Sequence, residues 1–322
     1  MSSGMPDAPW RVGQQVCVEV PASSANLGPG FDSVGIALDI RDRCTVTITD
    51  APGVEVVVAG EGADGVPRDE NHLVVRSMLR AWDLLDVAPP VGMRVECRNA
   101  VPHGRGLGSS ATAIVTGIGA ANALWRLAIS GSADIEPHFV NDLAAQLEGH
   151  PDNSSASVWG GATLSWLDDR SDPNEEVSLP HTTTLALSPH PDIRPLVFLP
   201  QVQLSTATAR SVLPAYVRLG DAAANSARVG VLVHALTRDP SYLRAGTRDY
   251  LHQEPRRPSY AASMALVDAL RGAGIAATIS GAGPSVLALA VGEQGERAAA
   301  YAPAGWQVLD PGFAQTGIRL VD

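Results

Sequence analysis

GRGLGSSAT, residues 104–112, sets three glycines at every second position ahead of a small-residue stretch that runs to about Leu127. Glycines so spaced let the backbone come very close to a ligand, and a helix start presents free N–H groups and the positive end of a dipole. Residues 91–97 read as a strand, so the local order is strand, glycine loop, helix. An anion, most naturally a nucleotide triphosphate, is expected there. The Ser109 and Ser110 hydroxyls can cap the helix, hold a phosphate or ligate magnesium. As a dinucleotide-binding turn the segment fails, because the spacing is G-x-G-x-G and no acidic residue follows at about 20 positions. As a mere turn plus cap, it has more glycine and serine than a cap requires.

The 322-residue chain has 23 basic residues, every one an arginine. The absence of lysine excludes a P-loop, a protein kinase and Schiff-base chemistry, each of which needs a lysine amine at a fixed place. A net charge of -11 repels phosphate backbones and anionic lipid, which argues against nucleic-acid or membrane-surface binding. Attraction for an anionic substrate must then be local. The length is roughly two domains' worth, and 45% apolar with 18% charged residues is ordinary for a compact soluble chain. Cys17, Cys44 and Cys97 lack metal-ligand spacing and fit a reducing cytoplasm as inert core thiols. The start shows no basic region followed by an apolar stretch, hence no secretory signal. Ser109 to Trp125 is charge-free but too short for a membrane span of about 20 residues, and reads as a buried helix.

Around the loop the pattern is mixed α+β. Val16 to Val20 reads as a half-buried strand ending at Pro21 in a polar loop, PASSANLGPG, and Phe31 to Ile40 resumes an apolar run. Residues 43–49 and 54–59 are strands separated by Asp-Ala-Pro-Gly, a hairpin signal. Asn71 to Leu85 has helical spacing, as does a stretch near Glu136 to Glu148 that stops at Gly149. Residues 162–167 form a strand, and the polar, proline-bearing residues 168–182 mark a boundary, taken as 1–175 and 176–322. The second half has a strand at 195–199, a helical stretch from Thr206 to Leu236, a helix near 259–272 and a strand at 275–279.

Three more segments carry candidate chemistry. SSANLGPGFD, residues 23–32, is a rigid loop that could aim Asn26 and Asp32 at a ligand. Glu148-Gly-His-Pro-Asp-Asn153 offers two carboxylates, a histidine and an asparagine. Zinc is disfavoured there, whereas magnesium takes one or two protein oxygens together with phosphate oxygens. ISGAGPSVLAL, residues 279–289, breaks a buried strand at Gly281 and Gly283, as a tight hairpin or a close approach to a ligand does.

In this order and separation, PASSANLGPGFDSVGIAL, PHGRGLGSSAT, EGHPDN and SGAGPSVLAL resemble the GHMP superfamily of small-molecule kinases and, within it, the homoserine kinases, from about Val16 to Leu289. The resemblance implies ATP-dependent phosphorylation of the L-homoserine hydroxyl, the branch step toward threonine. It also implies an α+β, two-domain GHMP kinase fold: an N-terminal domain like domain 2 of ribosomal protein S5, a C-terminal ferredoxin-like domain, and the site between them. Dimers are common in the superfamily, so a homodimer is one expected state.

By position the resemblance wraps the ATP phosphates with Pro102, His103, Gly104, Arg105, Gly106, Leu107, Gly108, Ser109, Ser110, Ala111 and Thr112. It gives Mg2+ to Ser110 and Glu148, and adenine to Asn71 or His72. It places Asn26, Asp32, His150, Asn153, Thr206, Arg210, Arg257 and Gly281 at the substrate, with Ser110, Glu148, Asn153 and Arg210 carrying the transfer. A zwitterion needs arginine forks for its carboxylate and a carboxylate for its ammonium, tasks that suit Arg210, Arg257 and Asp32. Two departures stand out. Ser154 replaces a common apolar residue, and HQEPRRP leaves Arg256 as an alternative to Arg257. No general base is named. A mevalonate-type catalytic lysine cannot exist in this chain, which tilts the substrate toward homoserine.

Overall fold

The computed structural model describes residues 10–167, 181–204 and 206–322, with the side chains of residues 206 and 207 outside the description. The first part runs β1 (Gln15–Asn26), β2 (Gly30–Thr49), β3 (Gly53–Gly60), α1 (Leu73–Leu84), β4 (Gly92–Asn99), α2 (Ser109–Ser130), α3 (Pro137–Glu148), α4 (Asp152–Trp159), β5 (Ala162–Leu167) and β6 (Thr182–Leu187). The second runs β7 (Ile193–Leu199), α5 (Thr206–Ser211), α6 (Leu219–Thr237), α7 (Leu243–Gly246), α8 (Gln253–Arg256), α9 (Ala261–Gly272), β8 (Ala276–Ile279), β9 (Val286–Val291), α10 (Gln294–Ala299), β10 (Gln307–Leu309) and β11 (Arg319–Leu320).

Two sheets result. One has the order β11-β1-β2-β4-β3, with β5 joined to β2 and β6 to β5; the other has the order β10-β7-β9-β8. The first sheet buries Val18, Val20, Val46 and Val95 against Met78 and Trp82 of α1, Val115 and Ile118 of α2, and Leu143 of α3. The second sheet packs Phe198, Ile279 and Ala288 on Leu266 and Leu270 of α9. A third apolar cluster joins the two halves: Leu27, Ile36, Leu38 and Leu107 meet Leu232, Leu236, Leu287 and Leu289. That joint fixes the loops above it on both sides. α2 is long and apolar enough to cross a membrane by composition alone, but 67% of its apolar window is buried, as befits a core helix.

The structure corrects several local expectations. β1 does not stop at Pro21. It passes through a register shift at Pro21/Ala22 and stays paired with β2 as far as Asn26, so most of the expected loop is strand. The apolar run at Phe31 and the strand at 43–49 belong to one 20-residue strand. The Asp-Ala-Pro-Gly signal makes no hairpin: β4 lies between β2 and β3, antiparallel to the first and parallel to the second. The β3–α1–β4 crossover accounts for this, since a helix of α1's length returns the chain to a parallel neighbour. Residues 152–159 form α4 where a loop was expected. The long helix from Thr206 is broken into α5 and α6, with Pro214 between them.

Most of the polar segment 168–182 lies outside the described residues. Beyond it, β6 pairs with β5 along its whole length, and β11 returns to β1. A division drawn by sheet membership therefore falls after Leu187, with the last strand rejoining the first half. Cys17, Cys44 and Cys97 are free and buried.

Candidate active site

Two cavities meet at the start of α2. One, of about 70 Å³, lies between the two halves of the molecule and is lined by Asn26, Asp32, Glu148, His150, Asn153 and Arg210, among others. The second, of about 320 Å³, is lined by Asn71, His72, His103, Asp42 and Thr116, among others. Gly104, Ser109 and Ser110 line both, so the glycine loop forms the partition.

The loop's shape follows from its glycines. Gly104, Gly106 and Gly108 have φ of 66°, 75° and 67°, a left-handed conformation that costs other residues roughly 1–2 kcal/mol each. Space is also short: a Cβ on Gly106 would sit 2.2 Å from the Ser280 carbonyl oxygen, and one on Gly108 would sit 2.0 Å from Ser23 Oγ. Gly108 is the N-cap of α2 and contributes no side-chain cap. The first N–H groups of the helix are thereby left to an external acceptor. Pro102, Leu107, Ala111 and Thr112 are buried beneath the loop, and the Thr112 hydroxyl donates to the Gly108 and Pro21 carbonyls. They shape the cradle from below; Pro102 has no N–H to offer a phosphate, and the Thr112 N–H is already bonded to the Gly108 carbonyl at 2.8 Å. Arg105 lines neither cavity, and its buried Nε has no partner.

The SGAGPS segment holds the loop from the other half of the chain. Ser280 Oγ donates to the Gly106 carbonyl at 2.6 Å and lies 2.7 Å from Ser24 Oγ, while Gly281 N–H donates to Ala25 at 3.2 Å. Its break is a close backbone approach, one of the two options its sequence left open. Asn26 Nδ2 donates to the Gly281 carbonyl and its Oδ1 accepts the Asp32 N–H, both at 3.1 Å. Asn26 and Asp32 adopt φ of 69° and 54°. Non-glycine residues held in that region by several contacts are typical of ligand sites.

Charge is organised across the first cavity. Arg210 grips Asp32 with both terminal nitrogens, NH1 to Oδ2 at 3.1 Å. The Phe31 ring lies under two guanidinium groups, with Arg210 Cζ at 5.4 Å and Arg256 Cζ at 5.5 Å from its centroid. Burial pulls the Arg210 guanidinium down, but its bond to Asp32 and the field of that carboxylate outweigh it and raise the pKa. His150 Nδ1 lies 2.7 Å from Asp152 Oδ1, which also accepts the Asn153 N–H at 2.9 Å. Burial disfavours the His150 cation, yet the Asp152 and Glu148 carboxylates more than compensate, so its pKa rises. Burial likewise raises the Glu148 carboxyl, against the Ser110 hydroxyl and the His150 cation, which pull it down.

Of the two arginines that HQEPRRP offered, the structure places Arg256 in the wall of the first cavity. Arg256 is 1% exposed, whereas the Arg257 side chain reaches out to Glu254 and Asp268 at 2.8 Å each. Arg257, expected at the substrate, does not line that cavity, and its side chain is taken by Glu254 and Asp268. Arg256 is secured by Nε to the Ala209 carbonyl at 2.9 Å and by NH1 facing His252 Nδ1 at 3.1 Å. His252 Nε2 lies 2.8 Å from the Gly28 carbonyl, which can only accept. That bond places the His252 proton on Nε2 and leaves Nδ1 as the acceptor for Arg256. Burial holds the His252 pKa below its ordinary value, consistent with a neutral ring. Thr206 opens α5, and its side chain lies outside the described residues.

The residues present fit a nucleotide. In the second cavity the His72 Nδ1 and Thr116 Oγ1 atoms are buried without a hydrogen-bond partner, donors and acceptors of the kind a base would satisfy. Asp42, in the same wall, accepts the Ala100 and Val101 N–H groups on one oxygen at 2.7 and 2.9 Å. Burial nonetheless pushes its pKa up to about 6. Among the described residues, Asp32, His150 and Asp152 form one cluster that could hold a cation, but Asp32 is already committed to Arg210. Sequence reasoning counted Asp152 among the carboxylates of its motif but missed Phe31 and Asp42. Phe31 sits inside a quoted motif, whereas Asp42 gave no signal.

Comparison with known proteins agrees with this geometry. Residues 72–161 match the family model "GHMP kinases N terminal domain", and residues 232–307 match "GHMP kinases C terminal". The homoserine kinase of Streptomyces coelicolor is 46% identical over 306 residues, covering 95% of this chain and 94% of its own. That of Mycobacterium tuberculosis is 46% identical over 271 residues, covering 84% and 82%. The crystal structure of homoserine kinase from Cytophaga hutchinsonii superposes with a TM-score of 0.80 at 26% identity, covering 97% of this chain and 99% of its own. Mevalonate diphosphate decarboxylase from Staphylococcus aureus shares the fold alone, with a TM-score of 0.67 at 15% identity. The chain belongs to the GHMP kinase superfamily and, within it, to the homoserine kinases.

Proposed function

We propose that this chain transfers the γ-phosphoryl group of ATP to the side-chain hydroxyl of L-homoserine, giving O-phospho-L-homoserine and ADP. The observation that carries this reading is the partition between the two cavities: a left-handed glycine loop at an uncapped helix start, with a nucleotide-sized cavity on one side and paired arginines with carboxylates on the other.

In this reading, the loop amides and the α2 dipole bind the phosphates, doing the work that a lysine does in other kinases. His72, with Asn71 beside it, faces the base. Arg210 and Arg256 take the substrate carboxylate, Asp32 takes the ammonium, and Asn26, His150 and Asn153 complete the pocket. In the free protein the Arg210–Asp32 pair satisfies itself. A zwitterion replaces that contact with one partner for each, so it costs little desolvation to enter. The hydroxyl oxygen then bonds to the γ-phosphorus in line as the bond to the leaving oxygen of ADP breaks, and the hydroxyl proton passes to solvent. Ser110 and Glu148 are the oxygen donors suited to hold Mg2+, whose charge neutralises the phosphates when bound.

A panel of alcohols in one ADP-coupled assay tests the reading. L-homoserine is expected to give the highest kcat/KM, and Arg210→Ala to raise its KM far more than that of ATP. Equal changes in both KM values contradict the substrate role of Arg210, and no turnover with homoserine contradicts the activity.

A further inference from the structure

A third cavity, of about 650 Å³, opens in the second half of the chain, away from the phosphate loop. Four arginines from three helices and the turn after α7 converge on it: Arg228 of α6, Arg244 of α7, Arg248, and Arg271 of α9. Among the described residues none of the four forms an ion pair. Arg271 is held by neutral oxygens only, NH1 to Thr247 Oγ1 at 2.9 Å and NH2 to the Arg244 carbonyl at 2.7 Å. Arg244 Nε donates back to the Arg271 carbonyl at 3.0 Å, and Arg248 lies over the Tyr250 ring.

Of the four acids in the same wall, three are already engaged. Glu254 and Asp268 are taken by Arg257. Asp249 accepts the N–H groups of Leu251, His252 and Gln253. Asp221 remains, in the first turn of α6. In a chain of net charge -11, these four arginines share a wall with four carboxylates, yet among the described residues none of them is paired with one, and the arginines still repel one another. Burial, and after it Arg244 and Arg248, lower the Arg271 pKa, with Asp268 pulling the other way. An anion placed between them relieves that repulsion and supplies charged acceptors in addition to the neutral oxygens that Arg244 and Arg271 already use.

We propose that this cavity is a second, non-catalytic binding site for a small multiply charged oxyanion, phosphorylated or polycarboxylic, whose occupancy is felt at the substrate pocket. The connection is one short segment. Thr247, Arg248, Tyr250 and Gln253 face the arginine cavity. On the opposite side of the same segment, the Thr247 carbonyl abuts Gly28, where a Cβ would come within 2.4 Å. His252 holds both the Gly28 carbonyl and Arg256.

The test is calorimetric titration of the full chain with inorganic pyrophosphate and, separately, citrate. The kinase centre is first saturated with a nonhydrolysable ATP analogue so that the phosphate loop cannot answer for the probe. One equivalent of pyrophosphate or citrate is expected to bind, and Arg244→Ala/Arg248→Ala, both exposed, to weaken it at least tenfold. Which probe binds tells a phosphorylated ligand from a polycarboxylic one. No binding of either, or binding unchanged in the double variant, overturns the site. An L-homoserine KM that shifts at least twofold with bound anion supports the link to the substrate pocket, and an unchanged KM overturns that link.

Discussion

Replacing Gly108 with alanine probes the head of α2, where the account places the nucleotide phosphates. The residue sits at φ 67°, which for alanine costs about 1–2 kcal/mol. The new methyl also arrives 2.0 Å from Ser23 Oγ and 3.0 Å from Asn153 Oδ1. Ser23 is fully buried and its hydroxyl donates to Asn153 at 3.0 Å. Making room therefore means giving up that bond, worth about 1 kcal/mol. The sum is about 2–3 kcal/mol, or a fall in Tm of roughly 5–10 °C at about 2–4 °C per kcal/mol. The same shift displaces the free N–H groups from the phosphates, so KM for ATP should rise at least about tenfold, a loss of about 1.4 kcal/mol. Thermal unfolding and ATP titration in an ADP-coupled assay measure both. Because Ser23→Ala removes the colliding oxygen, the double variant Ser23→Ala/Gly108→Ala should be no less stable than Gly108→Ala alone. A Gly108→Ala protein with the parent's Tm and ATP KM would refute the reasoning.

Two further outcomes are expected. Arg256→Gln should raise KM for L-homoserine by about 2–3 kcal/mol, roughly 30- to 150-fold, through loss of a charge-assisted contact. Arg257→Ala, whose ion pairs are partly exposed, should leave KM within about twofold and cost under about 1 kcal/mol of stability; the reverse order would restore Arg257 as the substrate residue. For Asp42, burial raises the folded pKa from 3.8 to about 6, so the folded state favours the protonated acid. Its stabilising contribution is complete below about pH 4 and is lost as the pH rises to about 6, a difference of about 3 kcal/mol at 1.36 kcal/mol per unit. An asparagine at this position would keep the single oxygen that accepts both backbone N–H groups, so Asp42→Asn should flatten the pH dependence. Urea unfolding at pH 5 and pH 7.5 checks this, and equal slopes for parent and variant would contradict it.

The glycine loop, the helix behind it and the two flanking motifs were legible because backbone requirements dictate residue type there. Only glycine tolerates three left-handed positions in five, and the αL stop of α3 at Gly149 is of the same kind. What depends on distant partners left a weaker trace. β3 and β4 each look like ordinary strands, and nothing within either states that they pair in parallel. Pro21 reads as a strand end, yet the register shift accommodates it within a strand covered on both sides. Arg256 and Arg257 are adjacent and chemically identical. What separates them is the placement of Glu254 and His252 at their own helix, of Asp268 on α9 and of Phe31 on β2. Asp42 fell between the two segments read as strands, and only the Ala100–Val101 turn above it makes it a buried acceptor.

The central claim is a transfer from ATP to one particular hydroxyl, and ³¹P NMR of a reaction mixture containing the protein, Mg-ATP and L-homoserine tests it most directly. O-phospho-L-homoserine is expected to grow in step with ADP, one for one, with little ADP formed when homoserine is omitted. ADP release at the same rate without homoserine, or with no phosphorylated amino acid, would contradict the account.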